Sequence, residues 1–122
     1  MKRTVSLTEN TLFKRLYYRG KPFHSKYCVL YTMPNRLQVN RLGFTVGKKI
    51  GKAVQRNRAR RRLFEAFRIF EADIRSGCDI VIVAKSASLE GDFADLVRIM
   101  GATLKKAGLL QSKPPQQSTP SE

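Results

Sequence analysis

Histidine is nearly absent from this chain. His24 is the only one, in the turn-like stretch Lys21-Pro22-Phe23-His24-Ser25, so no second imidazole is available for acid–base or metal chemistry. Acidic residues are also few, 9 Asp and Glu in all. The best-spaced pair, Asp92 and Asp95, falls at the start of an expected helix, where capping and the helix dipole account for carboxylates without a metal. Nothing in the chain resembles a nuclease centre built from protein groups, so any hydrolysis is expected to come from a partner. The two cysteines, Cys28 and Cys78, have no CxxC spacing and no histidine neighbour, so they read as reduced core residues of a cytoplasmic protein. No apolar run approaches the roughly 20 residues of a membrane span. Met1-Lys2-Arg3-Thr4-Val5-Ser6 carries two charges with no apolar signal region after them.

What the chain has is positive charge. Lys and Arg number 24, for a formal net charge of +15. A surface that serves only solubility mixes signs and nets a few charges, so this excess calls for a polyanion. Nucleic acid is the first reading and an anionic membrane the second. The 122 residues, 42% hydrophobic, suffice for one domain with one core.

Periodicity and breakers give six elements. Ser6-Leu7-Thr8-Glu9 fits a capping box, with Thr8 as a rival N-cap, ahead of a helix to about Arg19 with Leu12, Phe13, Leu16 and Tyr17 on one stripe. Residues 27–33 form a strand closed by Pro34-Asn35, and residues 37–46 form a second strand expected to pair with it as a hairpin. A basic loop, Gly47 to Gly51, leads into a long helix from about Lys52 to Arg75. Residues 80–84, Ile-Val-Ile-Val-Ala, lack alternation, as a central strand covered on both faces does. A last helix carries Phe93, Leu96, Val97, Met100 and Leu104 and stops at Gly108. The order αββαβα predicts an α+β fold, a two-layer sandwich with helices packed on a small mixed sheet. Residues 1–108 form the domain, and 109–122, rich in Pro, Gln and Ser, form a disordered tail.

The informative segment runs from Lys48 to Arg68, with nine basic residues and one acid, Glu65. At about 100° per residue, Ala59, Leu63, Ala66, Phe67, Phe70 and Ile74 make a core-facing stripe. Arg58, Arg61 and Arg62 are expected on the far side, opposite that stripe, whereas Lys52 and Arg56 continue its line into the first two turns, which are basic all round. A core cannot accept such a helix start, so it projects towards a ligand. A Gly-flanked loop feeding a helix N-terminus also suits phosphate. Gly47-Lys48-Lys49-Ile50-Gly51-Lys52 is one residue too short for a nucleotide-binding loop, and Ala53 replaces the required hydroxyl. No small-molecule nucleotide is expected.

The block Arg41-Leu42-Gly43-Phe44-Thr45-Val46-Gly47-Lys48-Lys49-Ile50-Gly51-Lys52-Ala53-Val54-Gln55-Arg56-Asn57-Arg58, followed by Arg60-Arg61-Arg62-Leu63, resembles the signature of the bacterial ribonuclease P protein family. Phe13-Lys14-Arg15-Leu16-Tyr17 with Gly20, then Val29-Leu30-Tyr31, then Gly77-Cys78-Asp79-Ile80-Val81-Ile82-Val83 match in order, so about residues 5–107 are covered. Gly47 stands where the family usually has Ser, and Phe64 where a basic residue is common, so that position should be packed or neutral. The resemblance implies an α/β sandwich with a left-handed βαβ crossover. It implies two partners, a catalytic RNA and precursor tRNA. Lys48, Lys49, Lys52, Arg56, Asn57, Arg58, Arg60, Arg61, Arg62 and Arg68 would face the catalytic RNA. Phe13, Tyr17, Tyr31 and Lys85 would form a cleft for the 5′ leader, with no catalytic residue on the protein and Mg²⁺ held mainly by the RNA. Strand alternation puts Tyr27, Val29, Tyr31 and Met33 on one face, the two phenols favouring an accessible groove. A ribosomal RNA binder, a duplex-DNA binder and a protein-only nuclease are the rival readings.

Overall fold

The computed structural model describes residues 4–111. In chain order the elements are β1 (Thr4–Ser6), α1 (Asn10–Arg19), β2 (Lys21–His24), β3 (Cys28–Pro34), β4 (Asn40–Thr45), α2 (Ala53–Phe70), β5 (Cys78–Ala84) and α3 (Phe93–Lys106). Short 3₁₀ turns lie at Lys48–Ile50, Glu71–Asp73 and Ser86–Leu89. The five strands form one mixed sheet in the order β1-β4-β5-β3-β2. The α+β class of the sequence reading holds, and its six elements expand to βαβββαβα.

The expected hairpin does not form. β5 lies between β3 and β4, antiparallel to the first (Tyr31 opposite Val81) and parallel to the second (Gly43 opposite Val81). The reason is the composition of β5. It is the most apolar strand, and a central place satisfies both its backbone edges while helices cover both its faces. Val81 packs in a cluster with Leu7, Leu16, Leu12 and Phe13, on the α1 side. Ile80, Ile82 and Ala84 pack with Leu63, Phe67, Leu96, Met100 and Leu104, on the α2 and α3 side. The sandwich thus has one helix on one face of the sheet and two on the other, giving three layers where the sequence reading had two.

The connection that replaces the hairpin turn is held by polar bonds. Asn35 donates from Nδ2 to Asp79 Oδ1 at 2.9 Å and to the Val39 carbonyl at 3.1 Å. Arg41 and Asp79, opposite each other in register, form a fork of 2.7 and 2.8 Å on a carboxylate whose side chain is only 5% exposed.

Two strands escaped the sequence reading. β1 pairs with β4 in parallel, so Ser6 is a strand residue and caps nothing. The N-cap of α1 is Glu9, with no side-chain bond. β2 pairs with β3 at the sheet edge, where Pro22 is tolerated because one side of the strand needs no partner. At the other end the domain extends beyond residue 108. Leu109 is buried, its carbonyl accepts from the Arg75 amide at 2.8 Å, and Leu110 bridges to Ile74. Of the expected disordered tail, residues 112–122 lie outside the described residues.

Candidate nucleic-acid interface

The basic block starts where β4 ends. Ile50, buried, pins the Lys48–Ile50 turn to the core, leaving Lys48 and Lys49 exposed. Gly51 has φ of +143°, a conformation that side chains rarely adopt, and a Cβ there would overlap the Gln55 side chain. That side chain instead caps the helix, accepting from the Lys52 amide at 2.8 Å. Gly47, by contrast, has an extended backbone and nothing within 4 Å of a would-be Cβ, so no steric demand puts glycine there.

Lys52, Asn57, Arg58, Arg60 and Arg61 are exposed and Arg56 is half-buried. Among the described residues none of these cations forms an ion pair. Arg60 donates to Asn57 Oδ1 at 3.2 Å, which aims both along the same side of α2. The Nε of Arg56 is shielded from water with no acceptor. This is a concentrated positive field without internal compensation.

Two predicted members of the block have other attachments. Arg62 is not on the open face. Its Nε donates to the Ser88 carbonyl at 2.9 Å, its Nη2 to the Gly91 carbonyl at 2.8 Å, and its guanidinium stacks on Phe93 at 5.9 Å. On the helical wheel Arg62 sits at the flank of the apolar stripe, against which the segment after β5 packs. Arg68 pairs with Glu65 at 3.2 Å, which partly neutralises it. Phe64, where a basic residue would extend the block, meets Phe44 edge-on at 6.3 Å and is half-buried.

The second feature is a shallow cleft on the α1 face of the sheet. α1 has ten residues, about 15 Å, whereas β3 and β5 have seven each, about 23 Å, so the helix is too short to cover their whole length. The row it covers contains Gly43, Val81 and Tyr31. The next row, Thr45, Val83, Val29 and His24, is left half-buried or exposed. Tyr17 is the wall between them. It is 41% exposed, its ring meets Tyr31 edge-on at 5.2 Å, and its hydroxyl bonds Thr45 Oγ1. Phe13 lies 6.5 Å behind Tyr17, half-buried, with its ring over Gly43, where a Cβ would come within 2.5 Å. It supports the wall rather than lining the opening.

Lys85 sits beyond Val83 at the far end, its Nζ donating to the Ser25 carbonyl at 2.6 Å. The structure therefore brings Tyr17 and Tyr31 together, places Phe13 behind them, and sets Lys85 about 13 Å from Tyr31 by strand rise. Tyr27 does not share this cleft. It precedes the regular strand, is 1% exposed, and packs on the α2 and α3 side. Its hydroxyl donates to Asp95 Oδ2 at 2.6 Å. That bond, with Arg98 and Lys26 nearby, holds the Asp95 carboxyl at a pKa of about 2 and pushes the Tyr27 phenol up. The floor residues Thr45, Val29 and Val83 and the edge residue His24 went unread as site residues because cross-strand register reveals them, not local pattern.

Cys28 and Cys78 are free thiols, both raised in pKa by burial. Among the described residues no group of three His, Cys, Asp or Glu is placed to hold a metal ion, and no helix is long and apolar enough to cross a membrane.

Comparison with known proteins bears on what these surfaces serve. The family model for ribonuclease P matches residues 1–108. The ribonuclease P protein component of Caldanaerobacter subterraneus subsp. tengcongensis is 44% identical over 109 residues, covering 89% of this chain and 94% of that one. That of a Clostridium botulinum strain is 38% identical, covering 84% and 94%. Among solved structures, the ribonuclease P protein of Staphylococcus aureus superposes with a TM-score of 0.77 at 28% identity, covering 87% and 97%. That of Thermotoga maritima gives 0.75 at 28% identity, covering 83% and 96%. With a model match over nearly all described residues and close relatives of matching length, the chain belongs to the ribonuclease P protein component family.

Proposed function

We propose that this protein binds the catalytic RNA of ribonuclease P through the basic block and holds the 5′ leader of precursor tRNA in the α1 cleft, so supporting tRNA 5′ maturation. The observation that carries the reading is the Tyr17–Tyr31 pair beside a half-open apolar floor, at the same end of the sheet as the Lys48–Lys49 loop. Unpaired bases stack on aromatic faces with little regard to sequence, which suits leaders that differ from one tRNA to the next. Uncompensated cations on α2 lower the repulsion between two RNAs.

The protein supplies no general acid or base. Mg²⁺, held mainly by the RNA, would activate water and stabilise the leaving oxygen. What the protein's own residues do is position: Tyr17 and Tyr31 hold bases, Thr45 fixes the Tyr17 phenol, and Lys85 neutralises phosphate at the end of the floor. The free cysteines fit a reducing, cytoplasmic setting.

The test compares affinities of the assembled complex for tRNA with and without a leader. Tyr31→Ala should weaken binding of the leader-bearing form by about 1–3 kcal/mol, one base–aromatic stack, and leave mature tRNA nearly unchanged. Arg61→Ala should weaken assembly whatever the leader. Equal losses for both tRNAs in Tyr31→Ala would remove the cleft from the reading. Cleavage by the protein free of RNA would remove the assignment of chemistry to the RNA.

A further inference from the structure

The solvent face of α1 carries a second constellation that neither the cleft nor the basic block uses. Tyr18 is 91% exposed. Lys14, Arg15 and Arg19 are exposed around it, one turn before it or next to it, and α1 contains no acidic residue. None of the four makes a side-chain hydrogen bond or ion pair among the described residues. Together with Thr11 and Tyr17 they line one shallow open depression. Arg15 and Arg19 are four residues apart, an arrangement of like charges that destabilises a free helix. A face maintained for solubility would mix in acids and would not show a whole phenol ring to water. Phosphate between the cations offsets their repulsion, and a base laid on the ring covers it.

We propose that this face of α1 is a second binding surface for unpaired RNA, with Tyr18 as a stacking platform and Lys14, Arg15 and Arg19 on the phosphates. The proposal rests on reading the chain as an RNA-binding protein and adds a surface to it. Charge complementarity selects a polyanion. The exposed ring selects an unpaired strand, because a duplex buries the faces of its bases in its own stack. Tyr17 borders both the depression and the cleft, so one strand can leave the cleft over its wall and continue across α1.

The chain has no tryptophan, so Tyr18→Trp introduces a single tryptophan, excited at wavelengths the remaining tyrosines do not absorb, at an exposed position where folding is not at risk. Titration of the full-length variant with an oligoadenylate ribonucleotide should quench that fluorescence to saturation, and a matched RNA duplex should not. In the unmodified chain, Tyr18→Ala should weaken oligonucleotide binding by roughly 5- to 150-fold, the range of one stack. Replacing Lys14, Arg15 and Arg19 together by Gln should flatten the slope of log K against log salt by about 2, at roughly 0.7 per charge on single strands. Absence of quenching, or equal quenching by the duplex, overturns the proposal, as does an unchanged salt slope. Tyr31→Ala, run in parallel, separates the two readings. Loss there with no effect of the α1 variants leaves the cleft standing and removes this surface, and no effect of any variant removes both.

Discussion

Arg62→Ala should cost stability, while Arg61→Ala next to it should not. The guanidinium of Arg62 ties α2 to the segment between β5 and α3. Its bond to the Ser88 carbonyl is sheltered, Ser88 being 0% exposed, and a charged hydrogen bond in such a place is worth about 1.5–3 kcal/mol. The bond to Gly91 is exposed and adds a few tenths. The stack on Phe93 adds about 0.5–1 kcal/mol. Removing one charge from a cluster of like charges returns a few tenths, and Arg61→Ala, which lacks the contacts, measures that return directly. The net loss for Arg62→Ala is about 2–4 kcal/mol. At roughly 4 °C per kcal/mol for a domain of this size, its thermal midpoint should fall by about 8–16 °C. Arg61→Ala should stay within about 0.5 kcal/mol of the wild type. Arg62→Lys should recover little, since an ammonium on a flexible stem does not reproduce the planar fork. The assay is urea and thermal unfolding of RNA-free protein at one moderate salt concentration. Equal midpoints for the two alanine variants would show that the Arg62 bonds contribute nothing, and Arg62 would return to the RNA-facing set.

Three further outcomes follow from packing and charge. Arg41→Ala should destabilise by about 3 kcal/mol in urea unfolding, because it strands the buried Asp79 carboxylate; a loss under 1 kcal/mol would mean that Asn35 alone satisfies it. Asp95 titrates at about 2, below its ordinary 3.8, so its stabilising effect is complete above the ordinary value and lost as pH falls towards 2. The urea-midpoint gap between wild type and Asp95→Asn should therefore narrow between about pH 5 and pH 2, and a constant gap would contradict the Tyr27–Asp95 assignment. Gly43→Ala should destabilise by about 1–3 kcal/mol, since its Cβ meets the Phe13 ring at 2.5 Å, and should weaken leader binding by shifting the support of Tyr17. Unchanged stability with unchanged leader affinity would place Phe13 elsewhere.

Composition and local pattern by themselves determined a good deal. Uncompensated charge between residues 48 and 68 marked a helix start that stays out of the core, because its first turns carry cations on every side and no core accepts that; Lys52 and Arg58 are exposed and Arg56 half-buried. The lack of alternation in residues 80–84 marked a strand covered on both faces, and the stripe through Ala59, Leu63 and Phe67 marked the buried side of α2, all three of them fully buried. Tertiary structure decided the rest wherever the deciding interaction joins residues far apart in the chain. Strand pairing is one case. A turn at Pro34-Asn35 is compatible with a hairpin, and only the demand of β5 for partners on both edges moves β4 away from β3. Short edge strands such as β1 and β2 carry little pattern of their own and exist because a neighbour supplies their hydrogen bonds. Arg61 and Arg62 look alike in sequence, yet a loop 26 residues on claims one and leaves the other to solvent. The cleft has the same origin. Tyr17, Tyr31, Thr45 and Val83 come from four separate elements, and what leaves a cleft between them is a ten-residue helix laid on a face too long for it to cover.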